Sequence, residues 1–398
     1  MKGQPFNREL TWIAPLLCLC LIVLGLLRPT QKSPAPAAAR LIRSLDGVLV
    51  PVEEPYRGTV FTWCSFGVGG YLEQTRAPQT VLMAGGAAER EWFGLRDLMS
   101  RIYPNVLKED RYWDMRNGDI ALKDKTGVEV LLSYNAGAYI ADCGDAGMIP
   151  LLREVGLPSV YLNWHEKDGN ESSYAQARVE TALVGDPARG EALIARNKQA
   201  WSDLKRELKL DTMASYPRVL MMGSSVLDWS YFYLKTMRNS YQQYFPPAGV
   251  DNASRDWSGD RQDAERILAM DPEIIYLTGR HDYLFPTENP QEFMQDPRWR
   301  DLKAVKEKRV YRMFGEGGLG GIIYQPLYDR FMAEVAHPDL LQPTLRQMIR
   351  DRIQSEFNYR LSDDELDEML NVEENAGSAG AERFIRNYAP QKSQELKR

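Results

Sequence analysis

Seven short apolar runs dictate what this chain can fold into: TVFTW (59–63), TVLMAG (80–85), AYIAD (138–142), SVYLN (159–163), RVLMMG (218–223), EIIYLTG (273–279) and RVYRMF (309–314). Each has strand length, and helical patterns fall between them, which is the signature of an α/β protein with largely parallel sheets. MIPLLREVG reads as the crossover helix between the third and fourth runs. The runs fall into two sets. Between the sets lies ARVETALVGDPARGEALIARNKQAWSDLKRELK, a long helical pattern broken only near Asp186-Pro187. The expected fold is therefore two α/β lobes with largely parallel sheets, joined by one long helix. From residue 344 onward the chain is helical and charged, a C-terminal extension in which Ser362 and Glu365 form a capping box that starts a helix at Asp363.

An internal echo supports the two-lobe reading. GVEVLLSYNAGAYI (127–140) aligns with DAERILAMDPEIIY (263–276), so that Glu129 meets Glu265 and Leu132 meets Leu268. Both segments read as a short helix feeding a strand, and the offset is 265 − 129 = 136 residues, about the size of a lobe.

The first 29 residues differ from the rest. Lys2 and Arg8 precede an uncharged run of 18 residues, LTWIAPLLCLCLIVLGLL (10–27), close to the ~20 a membrane span needs. A Pro/Ala-rich linker follows, with Ala37 and Ala39 available as a cleavage site. Signal peptide and retained membrane anchor both fit, and either way the globular part is exported. Cys18 and Cys20 follow leucines rather than a small residue, so a lipoprotein signal is not supported. Outside that run only Cys64 and Cys143 occur; an oxidising compartment permits them to pair, and two buried thiols are the alternative. The remaining composition, 44% apolar and 26% charged with a formal charge of −6, suits a globular protein and offers no basic stripe for nucleic acid.

FTWCSFGVGGYLEQT (61–75) passes from strand through glycines towards a helix. Gly67 and Gly69 are followed by Leu72 where a dinucleotide-binding turn needs its third glycine, so pyrophosphate binding is disfavoured. No nucleophile elbow, Walker loop or H-E-x-x-H occurs. The three histidines, His165, His281 and His337, lack the spacing of a metal set. The strand ends are instead succeeded by aromatics, arginines and glycines: Trp63 and Phe66; Trp113 and Arg116; Trp229, Tyr231 and Tyr233; Arg255 and Trp257; Arg280; and Tyr324 in GEGGLGGIIYQ. Ligands of open α/β sheets bind beyond the carboxyl ends of the strands, in pockets that are apolar with a few placed charges.

GVEVLLSYNAGAYIADCGDAGMIPLLREVGLPSVYL, ERILAMDPEIIYL, WRDLKAVKEKRVY and AHPDLL, in this order across residues 56 to 342, resemble the class III periplasmic binding proteins, which deliver iron-siderophores, haem or cobalamin to ABC importers. The resemblance implies an N-terminal lobe over 56–168, a connecting helix over 169–212, a C-terminal lobe over 213–343, and the extension over 344–398, after an export segment (1–29) and a linker (30–55). It implies a monomeric binding protein, not an enzyme, with no intrinsic cofactor or resident metal. Its cleft is lined by Ser65 and the turn to Gly70 together with the aromatic and arginine set. It also implies that Glu129 and Glu265 dock on the permease. For the ligand, Arg116, Arg255 and Arg280 favour an anionic ferric siderophore; haem would use Tyr324 or Tyr231 as axial ligand, and cobalamin would rely on stacking. The competing class is an exported α/β enzyme or sensor using the same cleft.

Overall fold

The computed structural model describes residues 39–53, 60–62, 71, 74–77, 81–83, 98, 101–104, 128, 132, 137–141, 146–162, 169–224, 232–234, 245–255, 261–277, 289–314 and 322–388. Two parallel-stranded sheets form its frame. In the first, β3 (Val60–Thr62) lies between β4 (Val81–Met83) and β5 (Ala138–Ala141), and β6 (Ser159–Tyr161) pairs with β5, all parallel. Helix α1 (Ile149–Glu154) makes the crossover from β5 to β6, as parallel neighbours require.

In the second sheet, β7 (Arg218–Ser224), β11 (Ile274–Leu277) and β12 (Val310–Arg312) repeat that parallel order. The short β9 (Asp251–Asn252) runs parallel to β7. Antiparallel β8 (Phe232–Leu234) and β10 (Arg261–Gln262) extend the sheet. The 136-residue offset reappears in the strands, since β5 begins at Ala138 and β11 at Ile274 (274 − 138 = 136). Ahead of β11 runs α2 (Ala264–Met270), and the matching Val128 and Leu132 ahead of β5 are also helical.

Strand periodicity divides the core of the second lobe in two. Val219, Met221, Ile274, Tyr276 and Tyr311 face one cluster, while Leu220, Met222, Ile275, Leu277 and Val310 face another that contains Trp299 and Phe293. A parallel sheet needs cover on both faces, and these strands accordingly read as unbroken apolar runs.

Two segments depart from the sequence expectation. Residues 39–53, placed in the linker by composition, form a β-hairpin of β1 (Ala39–Arg43) and β2 (Leu49–Glu53). Ile42, Val50 and Val52 point into the first lobe's core, and Leu41 and Leu49 point outward. The tip is tied down: Ser44 Oγ accepts from the Tyr161 amide at 2.7 Å, and Arg153 reaches Asp46 at 2.7 Å. Prolines crowd 34–36 upstream and hide the alternation that begins at Leu41.

The lobes' single long helix is instead a helical hairpin, α3 (Gly169–Leu183) and α4 (Pro187–Leu208). Asp186 caps α4 by accepting from the Arg189 amide at 3.2 Å, with Pro187 at the first helical position and Gly185 at φ +89° before it. Val179 and Leu183 of α3 join the first lobe's core, whereas Leu193, Ile194, Leu204 and Leu208 of α4 join the second's. The helices touch at Gly190, where an added Cβ would meet Thr181 Oγ1 and stand 3.0 Å from the Ala177 carbonyl.

The C-terminal extension is part of the second lobe. Helix α5 (Gln325–Ala336) is entirely buried, and α6 (Leu345–Phe357) and α7 (Asp363–Met369) pack their apolar stripes on the same cluster. Thr344 provides no side-chain cap for α6; buried Glu334 of α5 does so from a distance, accepting from the Thr344 and Leu345 amides at 2.8 and 3.0 Å. The Ser362–Glu365 capping box forms as expected: Ser362 Oγ accepts from the Glu365 amide at 3.2 Å, and Glu365 Oε2 from the Ser362 amide at 2.7 Å. Beyond α7, the tail lies along β12. Asn375 Oδ1 accepts from the Arg312 amide at 2.7 Å, its Nδ2 donates to the Arg312 carbonyl at 3.0 Å, and Asn371 donates to the Met313 carbonyl at 2.9 Å.

Two outcomes are expected. Gly190→Ala forces the helices of the hairpin apart and destabilises the chain by about 1–3 kcal/mol, read from chemical denaturation. Glu180 of α3 is fully buried, and burial, opposed by a 2.8 Å hydrogen bond from Gln176, pushes its carboxyl from 4.5 up to about 8. It is neutral in the folded chain and ionised in the unfolded chain between those values, so the folded state loses stability as pH rises through that window. Glu180→Gln therefore raises the melting temperature at pH 7.5 and leaves it unchanged near pH 4.

Candidate functional site

Parallel pairing brings the carboxyl ends of the strands to one edge in each lobe. Thr62 is level with Met83 and Ile140, and Ala141 with Tyr161, so the segments starting at 63, 84, 142 and 162 all leave the same edge of the first sheet. Leu277 is level with Met222 and Arg312, and the segments after β7, β11 and β12 leave together from the second. Trp63, Cys64, Ser65 and Phe66 follow β3 directly, Cys143 follows β5, Trp229 and Tyr231 fall between β7 and β8, and Arg280 follows β11. These residues, with Trp113, Arg116, Trp257 and Glu129, lie outside the described residues, as do His165, His281 and the apolar run 10–27.

Three of the expected site residues are described. Arg255 is exposed and pairs with Asp251 at 2.8 Å, an i,i+4 contact beside β9. Tyr324, expected at the cleft, is 0% exposed and sits in the core of the second lobe. The reason is its neighbourhood: Ile322, Ile323, Leu327, Tyr328 and Phe331 form an apolar stripe leading into α5, and Tyr324 belongs to that stripe. Glu265 is exposed in the first turn of α2, next to the cap in which Asp263 accepts from the Arg266 amide at 2.9 Å. One turn on, Leu268 is 37% exposed, and Leu132 at the matching place of the first lobe is 44% exposed.

The end of the glycine-rich stretch is held against α4. Asn197 Nδ2 donates to the Ile322 carbonyl at 3.2 Å, and Tyr174 OH of α3 donates to Asn197 Oδ1 at 2.7 Å, all buried. Asn197, which carries no recognisable motif, thus holds the approach to α5. Nearby, four arginines converge on buried Glu356: Arg76 at 2.7 Å, Arg196 at 2.9 Å, Arg189 at 3.1 Å and Arg352 at 3.8 Å. Burial alone would push the Glu356 carboxyl up, but these guanidinium groups hold it below its ordinary range. Sequence reasoning misses this cluster because its members are spread over 280 residues, from Arg76 to Glu356. Among the described residues no group of three or more His, Cys, Asp or Glu side chains is placed to hold a metal ion. Nor, among them, is any helix long and apolar enough to cross a membrane.

A family model described as "Periplasmic binding protein" matches residues 142–315. The Fe(3+)-citrate-binding protein YfmC of Bacillus subtilis (strain 168) is 24% identical over 193 residues, 48% of this chain and 58% of that protein, so the match spans little more than half of the relative's length. Among solved structures, a periplasmic solute binding protein from Veillonella parvula DSM 2008 superposes with a TM-score of 0.67 at 18% identity, covering 85% of this chain and 99% of that one. Helicobacter pylori CeuE in its Ni-His complex gives a TM-score of 0.62 at 16% identity, covering 84% and 99%. At these identities the superpositions establish the fold. The family model and the Veillonella structure are both described as binding proteins. The family model thus matches residues 142–315, and the described residues of both lobes share the fold of these solved structures.

Proposed function

We propose that this chain is the solute-capturing subunit of an ABC importer and that its solute is a ferric chelate rich in carboxylate, bound between the lobes by the residues that follow the strands. The observation that carries the reading is the run of aromatic and arginine residues after strands whose carboxyl ends share one edge in each lobe. The similarity to a ferric-citrate-binding relative and to a neighbour crystallised with Ni-His supports a small metal chelate as the solute class. Trp63, Phe66, Trp113, Trp229, Tyr231 and Trp257 supply the apolar walls, and Ser65 with the glycine turn supplies hydrogen bonds. Arg116 and Arg280 supply the charge. Arg255 already pairs with Asp251 and contributes less. Haem and cobalamin are the alternatives; burial of Tyr324 in the core leaves Tyr231 as the tyrosine for a haem iron. The iron here is cargo, and the chain needs no cofactor of its own. The run 10–27 serves export and, where it is retained, tethers the protein to the outer face of the cytoplasmic membrane.

The test is tryptophan fluorescence of the purified protein titrated with ferric citrate, a catecholate ferric siderophore, haem and cobalamin. Saturable quenching by a ferric chelate is expected; quenching by haem or cobalamin alone refutes the chelate assignment. Arg116→Ala and Arg280→Ala are each expected to weaken binding about 10- to 100-fold, the size of a charge-assisted hydrogen bond.

Glu129 and Glu265 are assigned to the permease. They take equivalent places in the internal echo, and Glu265 stands exposed at the start of α2. An exposed ion pair contributes only about 0–1 kcal/mol, so two separated pairs orient the complex more than they tighten it. Replacing both by alanine is expected to preserve chelate affinity and lower uptake by cells, with each single change milder. Normal uptake by the double variant would refute the docking role.

A further inference from the structure

The covalent path between the lobes runs through α3 and α4, but it is not the sole mechanical connection. The extension is fastened to the second lobe by the buried Leu345, Ile349 and Ile353 of α6 and Leu366 of α7. From there it reaches two separate segments of the first half of the chain. At one, Arg76 donates to the Ser355 carbonyl at 3.1 Å and pairs with Glu356 at 2.7 Å. That segment is anchored in the first lobe, because Tyr71 just before it lies in the same core as Ile42 and Ile140. At the other, Arg101 pairs with Glu365 at 2.9 Å, and the Tyr103 ring meets Phe357 edge-on at 6.3 Å between centroids. Tyr103 packs against the cores of both lobes.

We propose that the C-terminal extension is an interlobe strap: a second tie, parallel to the helical hairpin, that sets the resting angle between the lobes and limits how far the cleft opens. Three observations support it. Glu356 is fully buried and joins the first lobe through Arg76, the connecting helix through Arg189 and Arg196, and the extension through Arg352. A carboxylate buried this way resists displacement, since moving away would strand it without its cations or leave them crowded together. Next, the two attachments use different segments of the first half of the chain, and the second reaches α7 as well as the end of α6, so a twist that spares one strains the other. Finally, Arg76 holds φ +53°, a left-handed conformation that a non-glycine residue keeps only where its surroundings enforce it. The strap is independent of what the cleft binds.

The experiment measures interlobe distance in the full chain by pulsed electron spin resonance, with spin-labelled unnatural amino acids at the exposed positions 132 and 268, one per lobe. The otherwise unaltered chain is expected to give one narrow distribution. Arg76→Ala combined with Arg101→Ala removes the ion pairs of both attachments, and both arginines are about two-fifths exposed (40% and 41%), so folding is retained. This variant is expected to lose the narrow peak for a broader distribution, with its far-ultraviolet circular dichroism unchanged. Arg101→Ala alone gives a smaller broadening in the same direction and decides the matter if the double variant is unstable. Arg350→Ala cuts an ion pair to Asp363 wholly within the extension and is expected to leave the distribution narrow. The strap is refuted if the arginine variants keep the narrow peak, or if Arg350→Ala broadens it equally.

Discussion

A parallel strand comes with a crossover, and crossovers put helices on the faces of the sheet, so β7, β11 and β12 have no face to leave in water. That constraint organises much of the second lobe. Ile275 and Leu277 turn to the cluster around Trp299 and Phe293, while Ile274 and Tyr276 turn to the larger cluster beneath α4 and α5. The larger cluster also takes in residues of two further helices. Helices α6 and α7 complete it, which is why residues beyond 344 cannot be an appendage. The covering also fixes where the connecting hairpin sits: α4 is a layer of the second lobe, α3 contributes to the first, and the close approach at Gly190 makes the pair one unit.

Charge is treated in two ways inside this frame. Glu356 and Glu334 stay paired although buried, the former among four arginines, the latter bonded to Arg330 at 2.7 Å and to the amides that open α6. Glu356 is a joint between elements far apart in sequence, and Glu334 a joint between the successive helices α5 and α6. Glu180 is buried with Gln176 as its hydrogen-bond partner among the described residues, and the cheaper solution there is to keep the proton. The same residue type thus serves as a connector where cations surround it and as a neutral hydrogen-bonding group where none does.

Features governed by neighbours in sequence are legible in the chain's own order of residues. The capping box at Ser362 and Glu365 has a fixed three-residue spacing, and the strands at 218, 274 and 310 are bounded by charge or glycine. The 136-residue echo survives because equal lobes place equal helices before equal strands. Features governed by partners distant in sequence are not legible in this way. The hairpin at 39–53 depends on Arg153 and Tyr161, and a two-stranded ribbon next to a proline tract looks like linker. Asp186-Pro187 marks a break, but whether the chain bends or reverses there depends on Gly190 meeting Thr181. Tyr324 has the composition of a ligand contact and the surroundings of a core residue, and only the stripe from Ile322 to Phe331 separates the two. The arginines around Glu356 have no common pattern at all.

The tail from Asn371 to Ala379 occupies the flank of β12 without being a strand. Asn375 and Asn371 satisfy the backbone at Arg312 and Met313, and the Ala379 amide donates to the Lys308 carbonyl at 2.8 Å. Side-chain amides thereby stand in for the neighbour that an outermost strand lacks. An uncovered margin of this kind is a template on which a second molecule can add a strand, and proteins that reach high local concentrations are the most exposed to it. Proteolytic loss of the last thirty or so residues would therefore do more than shorten the chain: it would turn a closed border into an adhesive one and favour self-association.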